Sequence, residues 1–155
     1  MISPELLRRY PFFGPMDDSQ LKALAMLAEV LPYGAGETVF DAQQEADALY
    51  FLLEGGVDLS FVVEDPTQPG MSREFHVSPV NPGEPFGISA LLEPYRYGAT
   101  IRTSVRSQVL KIQSAGLRAL CELDPRMDSI LMRQIAKAAF KRLQDTRAIL
   151  VAARA

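Results

Sequence analysis

Residues 86–100, with the sequence FGISALLEPYRYGAT, are the part of this chain whose residue types most suggest ligand chemistry. Gly87 predicts a turn, the apolar residues after it predict a short helix near 89–93, and Pro94 predicts the end of that helix. The first turn of a helix carries backbone N–H groups without intrahelical partners, and such groups bind anions. We therefore expect a small anionic ligand to bind in this segment.

Residue types elsewhere give little support to catalysis or metal binding. The chain has one histidine, His76, and one cysteine, Cys121, which is interpreted as a buried unreactive thiol. A metal centre needs several converging ligands, and nucleophilic catalysis needs a base beside the nucleophile. The carboxylates lie mostly beside predicted turns, and Glu84 is interpreted as a solvated turn residue. We expect no enzyme activity, no catalytic residue and no metal.

Length and composition predict one globular domain over residues 1–155. The hydrophobic fraction is 48%, the charged fraction is 23% and the formal net charge is −3. This negative charge gives no whole-chain basis for binding nucleic acid or an anionic membrane. A single cysteine fits a reducing compartment, and no apolar run approaches the ~18 residues of a membrane span. We expect a cytoplasmic protein with no membrane partner.

Three zones of different periodicity must position the ligand segment. Residues 1–29 read as helical, because Asp17 and Gln20 have the spacing of a capping box before an apolar face (Leu21, Leu24, Ala25, Ala28). Residues 30–113 are rich in glycine and proline between short apolar runs, which is typical of a β-barrel or sandwich. The predicted strands cover residues 38–40, 48–53, 57–63, 73–80, 98–105 and 108–112, with an exposed loop at 64–72.

Residues 114–155 return to a helical pattern. Ser114 is predicted to cap a helix through Leu123, and Pro125 to begin a longer helix to about Ala153. One row of that helix contains Leu131, Ile135, Ala139 and Leu143, and the adjacent row contains Met132, Ala136 and Phe140. This apolar stripe is wider than packing on one barrel requires, so we expect a homodimer through the helix. A helix wedged between the barrel and the N-terminal helices is the alternative.

Basic residues also follow the predicted long helix. These basic residues are interleaved with the acidic Asp128 and Asp145, and no aromatic residues accompany them as a stacking platform; they are Arg133, Lys137, Lys141, Arg142 and Arg147. We interpret them as a solvated helix face and expect no nucleic-acid partner.

The order of helices, barrel and long helix, with three motifs, resembles the cyclic-nucleotide-binding domain family (catabolite-activator-like and protein kinase A regulatory-subunit-like). The motifs are YGAGETVF at 33–40, ADALYFLLEGGV at 46–57 and PGEPFG at 82–87. The resemblance covers nearly the whole chain. It implies a mainly β fold, an eight-stranded antiparallel β-jelly roll (a double-stranded β-helix) with N-terminal helices and a long C-terminal helix. It also implies a short cassette helix that binds the cyclic phosphate of cAMP or cGMP.

The family's phosphate-binding cassette departs from its usual pattern here. Aligned without gaps, the glutamate that holds the ribose 2′-hydroxyl is Ile88, and the arginine that pairs with the phosphate is Tyr97. Arg96 stands one residue early and points to the opposite face of a strand, unless a bulge at Gly98 turns it into a phosphate partner. Tyr97 retains one hydroxyl that could donate to a phosphate oxygen. The predicted ligand-binding residues are Phe86, Gly87, Ile88, Ser89, Ala90, Leu91, Leu92, Tyr97, Ala99 and Thr100.

These residues favour a non-enzymatic sensor or regulatory domain. Loss of two charged contacts, at about 1.5–3 kcal/mol each, weakens nucleotide binding by ~10²–10⁴-fold. Binding of cAMP or cGMP is therefore expected to be weak, altered or lost, and ligand entry is expected to shift the closing helix. The alternative is a ligand-free interaction or dimerisation module with the same fold. A third reading, a truncated catabolite-activator-like transcription regulator, needs residues beyond 155.

Overall fold

Helical elements begin the chain in this computed structural model, which describes residues 2–77 and 79–154. They are α1 (Pro4–Arg8), a 3-10 turn (Pro11–Phe13) and α2 (Asp18–Leu27). The predicted capping box is confirmed, because Asp17 Oδ1 accepts from the Gln20 N–H at 2.8 Å and Gln20 Oε1 accepts from the Asp17 N–H at 2.9 Å. The helical zone ends earlier than predicted, since pairing with strand residue Ile112 draws Ala28 into the first strand.

Within the described residues, eight strands follow in two antiparallel sheets of four, which confirms the predicted jelly roll. The sheet orders are β1-β8-β3-β6 and β2-β7-β4-β5. The strand bounds are β1 (Ala28–Tyr33), β2 (Thr38–Phe40), β3 (Ala48–Glu54), β4 (Val57–Glu64), β5 (Ser72–His76), β6 (Pro85–Phe86), β7 (Thr100–Thr103) and β8 (Ser107–Gln113).

Some strand predictions were wrong in extent. The strand predicted at 73–80 ends at His76, and Val80 instead forms an isolated bridge with Val57; residue 78 lies outside the described residues. The strand predicted at 98–105 shortens to β7, because a bend precedes Thr100 and a turn follows Thr103. Two strands, β1 and β6, were not predicted: β1 contains a proline at its sheet edge, and β6 is too short to show alternation.

Strand β3 joins the barrel interior to the helical layer. Successive side chains of a strand point to opposite faces, and both faces of β3 are covered. Phe51 packs against Phe12 and Phe13 of the N-terminal turn, with ring centroids 4.6 and 4.7 Å apart. Tyr50 points the other way, toward Phe86, with centroids 5.2 Å apart. Strand β3 therefore packs on the helical layer with one face and on aromatic side chains of the barrel with the other.

Two helices close the chain, α3 (Ser114–Leu123) and α4 (Pro125–Arg154). Ser114 is not the predicted N-cap, which is Gln113; instead Ser114 Oγ donates to the Ala46 carbonyl at 3.0 Å and ties α3 to the barrel. Asp124 accepts from the N–H of Arg126 at 3.0 Å and so caps the first turn of α4.

Helix α4 is buried at its start and exposed toward its end. Leu131 and Ile135 are buried in the core, whereas Leu143, two turns further along the same row, is 45% exposed. The exposed apolar residues of its second half are Phe140, Leu143, Ile149, Leu150 and Val151. Within residues 2–77 and 79–154, none of the helices combines the length and hydropathy that crossing a bilayer requires.

Candidate functional site

Gly87 begins the cassette in a conformation that favours glycine. Its φ of 69° lies in the left-handed region, and it precedes a 3-10 helix over Ile88–Leu91. A Cβ atom at this position would lie 3.1 Å from Tyr97 Cε1 and 3.3 Å from both Phe40 Cε2 and Tyr50 Cδ2. Backbone conformation and close packing therefore both require glycine here.

The cassette helix is shorter and tighter than the predicted helix near 89–93. It is one 3-10 turn of four residues in which the Ala90 N–H already donates to the Gly87 carbonyl at 3.1 Å. The Leu92 N–H donates to the Ser89 carbonyl, also at 3.1 Å. Ala90 and Leu91 are buried against the barrel, whereas Leu92 is 42% exposed. The backbone N–H groups of Ala90 and Leu92, which were expected among the donors to an anion, are thus used within the turn.

Tyr97, which the gapless alignment predicted at the position of the family's arginine, lies in the barrel interior. Its side chain is 1% exposed, and its ring stacks on Phe40 with centroids 3.6 Å apart. The hydroxyl donates to the Ala48 carbonyl at 2.7 Å and accepts from the Ala48 N–H at 3.2 Å. Burial raises the pKa of Tyr97, so the phenol stays neutral. The hydroxyl that was expected to face a phosphate is directed at strand β3 instead.

Tyr97 belongs to an aromatic cluster, defined here as Phe40, Tyr50, Phe86 and Tyr97. The rings of Phe40 and Tyr50 lie 5.6 Å apart, and those of Phe40 and Phe86 lie 6.2 Å apart. Burial, then the neighbouring Tyr97, raises the pKa of Tyr50 as well. The cluster therefore packs aromatic rings against the position of Gly87.

Arg96 lies on the surface, on the side opposite to Tyr97. Its Nη1 donates to the Gln43 carbonyl at 3.0 Å, and its backbone forms an isolated bridge with Glu45. Thr100, at the start of β7, accepts from the Ala42 N–H at 3.0 Å, and Ala99 is half-buried beside it. The structure therefore keeps Ile88, Tyr97 and Gly87 together and places Arg96 away from them.

A cavity of about 650 Å³ opens between the cassette and helix α4. Its walls are mainly apolar, and the apolar residues that line it include Phe12, Leu59, Phe86, Ile88, Ala138 and Ala139. Its charged residues are Glu84, Lys137, Lys141, Arg142 and Asp145. Of the helix row expected in a dimer contact, Ala139 thus faces this cavity. Cassette residues and residues of α4 thus line the same cavity, a neighbourhood that sequence spacing alone did not reveal.

Glu84 is part of this wall, not the solvated turn residue that the sequence suggested. Its side chain is 22% exposed, and its Oε2 lies 2.7 Å from Lys141 Nζ. Burial by itself raises the pKa of Glu84, but hydrogen bonds from Lys141 and the Asn81 N–H outweigh it and lower that pKa. The same bond raises the pKa of Lys141, which also lies 3.5 Å from Asp145. The pair connects the loop before β6 to α4.

Gln134 is a second wall residue that sequence reasoning missed. It is 9% exposed, and its Nε2 donates to the Phe12 carbonyl at 2.8 Å. The Phe12 carbonyl can only accept a hydrogen bond, so the amide nitrogen of Gln134 must face it. The amide oxygen Oε1 therefore points away from this carbonyl. Among the described residues Oε1 has no hydrogen-bond partner, and an unmet buried acceptor costs about 1–3 kcal/mol.

Known proteins resemble this chain over most of its length. A model of the family described as "Cyclic nucleotide-binding domain" matches residues 30–124. The "Putative potassium channel protein RPA4233" from Rhodopseudomonas palustris is 26% identical over 125 residues, which are 81% of this chain and 28% of the channel protein. The chain thus spans little more than a quarter of that relative's length.

Solved structures support the same assignment. A "Putative Cyclic nucleotide-binding protein" from Geobacter metallireducens has a TM-score of 0.80 at 36% identity, covering 92% of this chain and 99% of that one. The N-terminal domain of a transcriptional regulator from Streptomyces coelicolor has a TM-score of 0.66 at 28% identity, covering 88% and 93% of the two chains. The chain therefore belongs to the cyclic nucleotide-binding domain family, whose members are regulatory domains that bind cyclic nucleotides.

Proposed function

We propose that this chain is a non-enzymatic sensor domain in which binding of cAMP and cGMP is weak, altered or lost. The observation that carries the proposal is Tyr97, which occupies the barrel position of the phosphate-pairing arginine and is itself satisfied by Ala48. A small ligand instead enters the cavity between the cassette and α4. Of the predicted ligand-binding residues, Phe86, Gly87 and Ile88 line this cavity, whereas residues 89–92, 97, 99 and 100 are not among its lining.

Weak binding of ordinary cyclic nucleotides follows from charge and from packing. Neither Ile88 nor Tyr97 offers a charge, and each missing contact to a charged group is worth about 1.5–3 kcal/mol. A phosphate beside Gly87 would also face the apolar rings of the aromatic cluster without a cation. Turning Tyr97 away to admit it would break two hydrogen bonds to Ala48. The missing charges and the filled barrel interior both weaken the binding of cyclic nucleotides.

Helix α4 is the element through which ligand binding reaches a partner. It forms one wall of the cavity near Ala138 and Ala139, and its exposed apolar residues lie beyond that wall. A ligand that binds two positions of α4 with different affinity shifts the population between them. We propose that Leu143 and the exposed residues after it contact a second copy of this chain. The likeness to parts of a channel protein and a transcriptional regulator supports a regulatory role.

A ligand-free interaction module remains the second candidate. The filled barrel interior favours it, because the aromatic cluster completes the core without any ligand. In that case the exposed end of α4 serves assembly alone. Light scattering on the wild type and on Leu143→Glu measures the assembly, and we expect a dimer that the variant dissociates.

Thermal unfolding with added nucleotide separates the two candidates. A one-site ligand at 100 times its dissociation constant adds about 2.7 kcal/mol of stability. For cAMP, cGMP and cyclic dinucleotides at millimolar concentration we expect a much smaller shift, about 0.4 kcal/mol when the concentration equals the dissociation constant. We expect Ala139→Trp, which places a large side chain on the helix wall of the cavity, to reduce it. A shift at micromolar cAMP contradicts the weakened site. No shift with any nucleotide, together with a stable dimer, favours the interaction module.

A further inference from the structure

We propose that the cavity between the cassette and α4 binds an amphipathic organic anion, with its charged group held by Lys137 and Lys141. The inference deepens the proposed function, on which it rests, by naming the ligand class of the same site. In this proposal the cations that bind the ligand belong to α4 and not to the strand that follows the cassette.

The shape and lining of the cavity favour a ligand with an apolar body. Its volume of about 650 Å³ lies within the range of about 300–1,000 Å³ that is typical of small-molecule sites. Phe86 and Ile88 form the barrel side of the wall, and Ala138 and Ala139 form the helix side. Ile88 contributes no carboxylate to the wall, so at this position the wall neither selects a sugar hydroxyl nor repels an anion.

Four of the five charged residues that line the cavity lie on α4, and the fifth, Glu84, lies in the loop before β6. Lys137 and Lys141 are four residues apart, so their side chains are neighbours on the helix surface. Both carboxylates of the lining, Glu84 and Asp145, contact Lys141. In the described part of the chain no carboxylate lies within 4.0 Å of Lys137, although Lys137 lines the same cavity. Lys137 is therefore a cation in the cavity lining without a carboxylate partner among the described residues.

Glu84 makes ligand binding and the position of α4 interdependent. An anion held by Lys137 lies one helical turn from Lys141 and competes with Glu84 Oε2 for its Nζ. Since the Glu84–Lys141 pair joins the loop before β6 to α4, that competition loosens a direct link between barrel and helix. Glu84→Gln removes the closer of the two carboxylates at Lys141, leaves Asp145 at 3.5 Å, and is expected to tighten anion binding.

Three probes with one aromatic body and different charge test the proposal. Fluorescence titration of 2-naphthoate, 2-naphthamide and 2-naphthylmethylammonium measures the preference for an anion. We expect the carboxylate to bind about tenfold more tightly than the neutral amide, the ammonium to bind most weakly, and salt to weaken the carboxylate alone. Lys137→Gln is expected to reduce carboxylate affinity several-fold and to leave the amide unchanged, whereas Lys22→Gln, on the exposed face of α2, changes neither.

The outcomes distinguish this proposal from the broader one. Equal binding of the carboxylate and the amide, or no effect of Lys137→Gln on the carboxylate, overturns the anion assignment and leaves a small-ligand sensor in place. Unchanged carboxylate affinity in folded Ala139→Trp and Ala139→Leu variants, which place larger side chains on the helix wall, places the probe elsewhere and also overturns it. Failure of every probe and every cyclic nucleotide to bind overturns both the anion assignment and the sensor.

Discussion

Replacing Tyr97 by phenylalanine removes one oxygen atom from the barrel interior and keeps the ring that stacks on Phe40. In the wild type the hydroxyl donates to the Ala48 carbonyl at 2.7 Å and accepts from the Ala48 N–H at 3.2 Å. Tyr97 is 1% exposed and Ala48 is fully buried, so water does not readily replace the lost oxygen. The substitution therefore isolates the contribution of the hydroxyl from that of the aromatic packing.

The magnitude follows from the cost of unmet buried hydrogen-bonding groups. A buried donor or acceptor that loses its partner costs about 1–3 kcal/mol. We expect Tyr97→Phe to lower the free energy of unfolding by about that amount, with a fall in Tm of about 2–4 °C for each kcal/mol in a chain of this size. The ring contacts with Phe40 contribute nothing to this difference, because they are retained.

Urea unfolding followed by circular dichroism measures the effect. Tyr33→Phe is the matched control, because Tyr33 is half-buried and its hydroxyl has no hydrogen bond to a described residue. We expect the control to stay within about 0.5 kcal/mol of the wild type. If Tyr97→Phe is equally neutral, the hydroxyl is not a required part of the barrel interior, and the reasoning that the phosphate position is filled and satisfied is wrong.

Three further changes test other parts of the structure. Gly87→Ala should cost about 1–3 kcal/mol in unfolding free energy, and more than Gly36→Ala, whose Cβ has open space at a similar φ; equal costs refute crowding by the aromatic cluster. The raised pKa values of Tyr50 and Tyr97 stabilise the fold below about pH 10, and this stabilisation is lost as the pH rises above 10. A urea midpoint that does not change as the pH rises above about 10 refutes this pH dependence. Burial first, then nearby aspartates, raises the pKa of Cys121 to about 11, so thiol labelling of the native protein at about pH 8 should be ~100-fold slower than in urea.

Local signals predicted the elements that lie within one continuous stretch of chain. The capping box at Asp17 and Gln20 and the strand at Thr38–Phe40 depend on neighbours a few residues away, and both were confirmed. Ala28 was assigned to a helix because its apolar spacing continued that of Leu24. Pairing with Ile112, a residue 84 positions later, decided its conformation instead, and no local pattern contains that information.

The candidate site likewise combines residues that a local motif indicates with contacts between residues far apart in sequence. Gly87, Ile88 and Tyr97 were assigned to the cassette from the spacing of a familiar motif, and their role in ligand binding stays a prediction. The Glu84–Lys141 pair joins residues 57 positions apart, and the bond from Gln134 to the Phe12 carbonyl spans 122 positions. Contacts of this kind depend on how α4 packs on the barrel. Sequence periodicity predicted that α4 exists and that it is amphipathic, but not which of its residues face the cassette.

Isothermal titration calorimetry with cAMP, on the wild type and on the Ile88→Glu, Tyr97→Arg double variant, tests the central claim most directly. The double variant restores both charged side chains of the family's cassette, and circular dichroism checks that it folds. We predict a wild-type dissociation constant in the millimolar range or weaker, and binding tighter by about 10²–10⁴-fold in the folded variant. A micromolar wild-type dissociation constant for cAMP contradicts the account, whatever the variant does.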